Sequence, residues 1–265
     1  MRAVFIVMEI KELQKIEKEL LKKIIQVCEK NNIKYFLIGG SLLGAVRHKG
    51  FIPWDDDIDI GMTRENFEKF NLLGCEFIEP YFLQNYSNDA SYPLTMTKVL
   101  DTSIALKEER IQNENSKYGA YIDIFPLDKM PDNRILKKIQ LYQYKLLNLQ
   151  IESRLLWRNQ TEFEKILTST LNLMHQSTDK LVLKRTDILT RYVTKHYNYY
   201  NVSSQYGPDR EMIEADFVEN LIEVPFEDIF VKIPSKYDIL LRRQYGDYMK
   251  LPDHNKQVPK HLEIN

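Results

Sequence analysis

Four aspartates fall within five positions, Asp55, Asp56, Asp57 and Asp59, inside the run FIPWDDDIDIG at 51–61. Their neighbours are Ile, Trp and Phe rather than the Lys, Ser and Gly of a solvated acidic patch. Like charges this close repel, and burying even one unpaired carboxylate costs several kcal/mol, so the cluster is expensive unless a cation sits with it. Read as a strand, 57–62 puts Asp57 and Asp59 on one face, about 7 Å apart between Cα atoms. Two carboxylates at that spacing can share one divalent cation or bridge two. Magnesium, or manganese in its place, suits hard oxygen donors and leaves coordination positions for substrate phosphates. Asp123 has a similar apolar setting in YIDIFP and is expected on a neighbouring strand as the third carboxylate.

Ahead of the aspartates, Gly39-Gly40-Ser41 breaks a short apolar run and opens a helix, with Ser41 placed to cap it. Backbone amides at such a turn hold phosphate oxygens. Arg47 and His48 in RHK stand close enough to the acid cluster to touch the same phosphate. Lys98 in TKVLD is read as a phosphate contact against the alternative of an exposed strand lysine. Trp54 is a candidate substrate residue, although Trp more often packs. Asp55 and Asp56 are not separable: one is expected to bond the loop or its basic residues while another carboxylate reaches metal. Asp101, Asp128 and Asp247 read as turn or capping residues. A calcium loop fails because Ile60 stands at its sixth position and Asn66 at its twelfth. A P-loop fails because Ala45-Val46 follows Gly44. The remaining histidines show no zinc spacing.

The elements that must position these groups follow from periodicity. Apolar residues at Leu13, Ile16, Leu20, Ile24, Val27 and Cys28 predict one amphipathic helix over 9–30, stopped by Asn31-Asn32. Strands are expected at 35–38, 57–62, 80–85, 94–106 and 118–125, with Thr63 capping a helix from 64 and Glu65 in its first turn. From 133 to about 200 Gly and Pro almost vanish and long helices are expected; 201–216 reads as a loop, and the chain closes with a strand and a helix. The fold class is therefore α/β (α+β), with a catalytic core over 1–130 and a mainly helical region over 131–265.

Composition narrows the function classes. The 265 residues carry a net charge of −1, which gives no general attraction to nucleic acid or anionic membrane. Cys28 and Cys75 are the only cysteines and lack CxxC spacing, pointing to a reduced cytoplasmic setting. The opening MRAVFIVMEI has no cleavage site after its apolar run, so it is not read as a signal peptide, and Met8 reads equally well as an initiator. No run approaches the length of a membrane span.

A Gly-Gly-Ser turn, an Asp-x-Asp strand and a third carboxylate on a later strand resemble the nucleotidyltransferase fold of the polymerase β type. The stretch GGSLLGAVRHKGFIPWDDDIDIGM at 39–62 is similar to the signature of the LicD family, bacterial phosphocholine transferases with fukutin-type eukaryotic relatives. YIDIFPLD at 121–128 and YGDYMKLP at 245–252 resemble its other two blocks. The resemblance implies transfer of phosphocholine from CDP-choline to a sugar hydroxyl of a teichoic acid or lipopolysaccharide precursor, with CMP leaving. It implies Asp57, Asp59 and Asp123 as metal-binding and catalytic residues and Gly39, Gly40, Ser41, Arg47 and His48 around phosphate. A lipid-linked acceptor would bring the protein to the inner membrane face through its substrate. Tyr245, which opens the third block, is the first choice for an aromatic over choline, ahead of Tyr142, Tyr144, Trp157, Tyr192 and Tyr248. The alternatives are a nucleotidyltransferase that moves the NMP moiety, sharing the same triad, and a non-catalytic ion- or nucleotide-binding scaffold.

Overall fold

A computed structural model describes residues 9–104, 106, 117–156, 160–173, 175–202 and 212–259. The possible start at Met8 and Trp157 lie outside them, as does most of the 201–216 loop. The chain begins with α1 (Ile10–Lys30), then β1 (Phe36–Leu37), α2 (Gly39–Arg47), β2 (Asp59–Thr63) and α3 (Arg64–Asn71). Three strands follow: β3 (Tyr81–Gln84), β4 (Thr97–Asp101) and β5 (Ala120–Met130). The long helices are α4 (Arg134–Leu155), α5 (Glu162–Asn172) and α6 (Thr178–Thr190). The last part holds β6 (Tyr199–Asn201), β7 (Ile213–Glu214), α7 (Ala215–Glu219), β8 (Leu221–Phe226), β9 (Ile229–Pro234) and α8 (Tyr237–Tyr245).

The main sheet is mixed, ordered β1-β2-β5-β4-β3, with β6 on the far end of β5 and β7 on β6. Its parallel pair is β2 with β5; the other pairings are antiparallel. β5 is buried along most of its length, and its run AYIDIFPLDKM reads as the near-continuous apolar strand of a covered sheet, interrupted by carboxylates. One core joins Leu20, Leu21 and Ile24 of α1, Ile60 and Met62 of β2, Ile122 and Ile124 of β5, and Val231, Ile233, Leu240 and Leu241 near the C-terminus.

The structure corrects several expectations. The final segment contains two strands before its helix, because Glu227 and Asp228 form a turn that the sequence FEDIF does not advertise with Gly or Asn. Part of the expected 201–216 loop belongs to β6, β7 and α7. Asp57 precedes β2 rather than lying within it, so it is not held on the same pleat as Asp59. Ser41 is not an N-cap: α2 starts at Gly39, and Ser41 lies inside it. Asp128 is not a turn residue. It is buried and takes Arg64 in a two-pronged pair, Nε to Oδ1 at 2.7 Å and Nη2 to Oδ2 at 2.6 Å, locking the start of α3 to β5. Asp101 does act locally, accepting from Ser103. Thr63 stands at the N-cap of α3, and its hydroxyl accepts from Asn66 at 2.8 Å rather than from the helix backbone.

Candidate active site

The site grows from the register of the sheet. Asp59 of β2 lies opposite Asp123 of β5, Asp123 lies opposite Lys98 of β4, and Lys98 lies opposite Gln84 of β3. Directly opposed residues share a face, so these four make one polar row across four strands of an otherwise apolar sheet. Lys98 is 2% exposed, which overturns the exposed-strand alternative; its ammonium lies 3.5 Å from Asp123 Oδ1 and 3.4 Å from the centre of the Tyr121 ring. Gln84 extends the row by donating to Asp89 at 2.7 Å and to the Lys117 carbonyl.

Asp55, Asp56 and Asp57 gather immediately ahead of β2. Each offers a carboxylate oxygen, and those oxygens lie within 4.8 Å of one another. The set brought most tightly together is therefore this consecutive trio, with Asp57 leading into the Asp59–Asp123 pair. The Asp59 carboxyl is pushed well above the usual carboxylate range, first by desolvation and then by Asp57, Asp123 and Asp55, while Lys98 pulls the other way. Hard oxygen donors crowded in this manner fit a divalent cation, which relieves the repulsion between them.

The backbone around them is built for close approach. Gly39 has φ +56°, a conformation glycine enters without strain, and a Cβ there would stand 3.1 Å from Asp59 Oδ2. A Cβ on Gly40 would sit 2.7 Å from Asp55 Oδ2. Ser41 Oγ accepts the Asp59 amide at 2.8 Å, tying the first turn of α2 to the acid strand. Ser41 thus positions Asp59, a role that helix capping does not describe. Arg47, at the end of α2, donates Nη1 to the Tyr248 carbonyl at 2.8 Å and Nε to His48 Nε2 at 2.9 Å. This joins the first and third sequence blocks. Burial, and then Arg47, lowers the His48 pKa, so the neutral ring that accepts from Arg47 is favoured. Trp54 packs on the main core and meets His48 edge-on, 6.2 Å between centroids. Tyr245, the last residue of α8, is 38% exposed and close enough to Arg47 to act on its charge. The turn of the β8–β9 hairpin also docks here: Glu227 donates its amide to the Lys49 carbonyl at 2.7 Å, and its carboxylate takes the Phe51 amide.

Two positioning groups escaped sequence reasoning. Gln14 of α1 donates to the carbonyls of Ile52 and Asp55, holding the loop that carries the trio. One turn on, Glu17 is 1% exposed, and its Oε2 has no hydrogen-bond partner among the described residues. Desolvation, then Asp57, Asp56, Asp55 and Asp123, hold its carboxyl well above the usual range. The signal was available: Glu17 occupies the inward stripe Leu13–Glu17–Leu20–Ile24, while the expected core residue Ile16 is only half-buried.

The comparisons with known proteins follow the same residues. The LicD/FKTN/FKRP nucleotidyltransferase domain matches 32–145. The lipopolysaccharide cholinephosphotransferase LicD of Haemophilus influenzae is 28% identical over 244 residues, spanning 89% of this chain and 90% of that protein. An uncharacterized protein of Rickettsia prowazekii is 35% identical over 43% of this chain and 40% of its own length. The human ribitol 5-phosphate transferase FKRP is 45% identical over 49 residues, 18% of this chain and 10% of that protein. The Asp59–Asp123 register and the glycine-lined aspartate trio both lie inside the segment 32–145 that matches the LicD family domain.

Proposed function

We propose that this protein is a Mg²⁺-dependent phosphotransferase moving phosphocholine from CDP-choline to a sugar hydroxyl of a lipopolysaccharide or teichoic acid precursor, on a nucleotidyltransferase-type fold. The observation that carries the reading is the convergence of Asp55, Asp56 and Asp57 on the Asp59–Asp123 pair, inside a segment that matches a family whose named relatives transfer a phosphate-bearing alcohol. Asp57, Asp59 and Asp123 would hold Mg²⁺, or Mn²⁺, with Asp55 or Asp56 beside them. The ion would supply charge neutralisation and orientation of the two phosphates. Asp123 takes the proton of the acceptor hydroxyl, whose oxygen attacks the choline-bearing phosphorus in line. The bond from that phosphorus to the bridging oxygen breaks, and CMP leaves with the electron pair. Gly39, Gly40 and Ser41 present backbone amides to phosphate oxygens, and Arg47 with His48 flanks them. Lys98 supplies positive charge beside Asp123, available to phosphate as well. Trp54 borders the nucleotide, and Tyr245 covers the choline head group as the contribution of the C-terminal region over 131–265. The reaction is cytoplasmic in this reading, because CDP-choline and a reduced setting coincide there.

Incubation with Mg²⁺, CDP-choline and a glycan acceptor tests it. CMP release with label transferred to the glycan is expected. Pyrophosphate release from a nucleoside triphosphate, with no CMP from CDP-choline, would replace it with NMP transfer. Nucleotide binding without turnover in either assay would leave a scaffold.

A further inference from the structure

The helix α4 reverses the usual partition of side chains. Its inner face carries Gln140, Tyr144 and Ile151, buried against α6, with Gln140 donating to the Ile188 carbonyl at 2.9 Å. Its outer face carries Ile135, Ile139, Tyr142 and Leu146, at steps of four, three and four residues. These positions form one straight stripe about 16 Å long. Ile135 is 69% and Tyr142 70% exposed, and Ile139 and Leu146 are exposed as well. Helical geometry places Arg134, Lys138 and Lys145 together along one flank of the stripe. All three are exposed and make no ion pair among the described residues. Before Glu152 the helix has no acidic residue.

An apolar stripe with a cationic flank suits a surface that is apolar beneath and anionic on top. A second copy of the chain does not fit as well, because a two-fold contact presents the same patch from both sides and would set these cations against their own copies. An acidic, water-exposed protein partner would satisfy the lysines but leave the isoleucines without a hydrocarbon phase. We infer that α4 is a membrane-surface helix, which lays Ile135, Ile139, Tyr142 and Leu146 into the acyl boundary of an anionic bilayer while Lys138 and Lys145 meet the head groups. No described helix is long and apolar enough to cross a membrane, so the contact is peripheral. The inference rests on α4 alone and stands whichever phosphate-transfer chemistry the active site performs.

Sedimentation of the full chain with vesicles tests it. Phosphatidylcholine vesicles containing about a third phosphatidylglycerol should bind the protein, pure phosphatidylcholine should bind at least fivefold more weakly, and rising salt should release it. The double variant Ile139→Asp/Tyr142→Asp should lower binding at least tenfold. Lys138→Glu/Lys145→Glu should lower it severalfold and flatten the salt dependence. Both pairs lie on the exposed face, so circular dichroism and thermal unfolding should match the parent. In Lys138→Glu/Lys145→Glu, CMP release from CDP-choline to a water-soluble acceptor should be unchanged. No binding to anionic vesicles at low salt would overturn the inference. So would binding indifferent to Ile139→Asp/Tyr142→Asp, or a dimer in solution that this variant dissociates.

Discussion

The carboxylate corner and the long helices depart from ordinary burial in opposite directions. Around β2 and β5, charged groups lie where hydrocarbon is expected: Asp55, Asp56, Asp123, Lys98 and Glu17 are all buried. Along α4, hydrocarbon lies where charge is expected, with Ile135 and Tyr142 facing solvent. Each departure costs free energy in the isolated protein, and in the readings proposed above each would be relieved from outside, by a cation and phosphates in the first case and by an apolar phase in the second. Both are also braced by ordinary structure. The corner is held by Ser41, Gln14 and the Glu227 turn, and α4 is held by its packing on α6. The lesson is that a rigid frame can hold an unfavourable surface in place.

The comparison can be broken most severely at Asp59. Asp59→Asn keeps the shape and removes one charge, and turnover should fall about 10³-fold or more while the fold persists. Near-normal kcat at saturating Mg²⁺ would remove Asp59 from the metal site. A contrasting buried charge pair, Arg64 with Asp128, needs no ligand because each partner satisfies the other. Asp128→Ala should therefore destabilise the protein by about 3–5 kcal/mol by denaturant titration, with or without Mg²⁺. A loss under 1 kcal/mol would show that the pair is not truly desolvated.

Smaller effects sharpen the account. Tyr245→Leu should weaken CDP-choline by about 1–2 kcal/mol, the size of a partly desolvated cation–π contact, and CMP much less. Equal losses for both ligands in calorimetry would assign Tyr245 to the fold. Glu17 gives the mildest change, and its sign is informative. A glutamate whose folded pKa is raised binds its proton more tightly in the native state, so stability is full below the ordinary glutamate pKa and declines as pH rises above it. Glu17→Gln cannot lose a proton. In metal-free protein it should raise the melting temperature at pH 8 by a few degrees and at pH 5 by much less. An equal shift at both values would mean that the carboxyl does not titrate in that window.

Much of the corner was legible because its chemistry is local in sequence. The DDDID run, the Gly-Gly-Ser turn and the apolar flanks of Asp123 all carry their meaning within a few residues. Strand register was not legible, so neither the Lys98–Asp123–Asp59 row nor the placement of Asp57 ahead of its strand could be read. Side chains that serve through distant backbone, such as Gln14 on the Asp55 carbonyl and Glu227 on the Phe51 amide, leave no local signature. Asp128 looked like a turn residue for the same reason: its partner Arg64 is 64 positions away. The long helices were visible as helices, but an alternating apolar pattern does not say which of two stripes faces inward.

The central claim is that the crowded carboxylates form a divalent-cation site, and thermal unfolding at pH 8 tests it with the whole protein and no acceptor. Mg²⁺ or Mn²⁺ at about 100 times its dissociation constant should stabilise the native state by about 2.7 kcal/mol, a rise of about 5–10 °C. Asp59→Asn should start from a higher metal-free melting temperature, because it lacks the repelling charge, and should gain little from the ion. An unchanged melting temperature on adding either ion, or the same gain in parent and Asp59→Asn, would contradict the account.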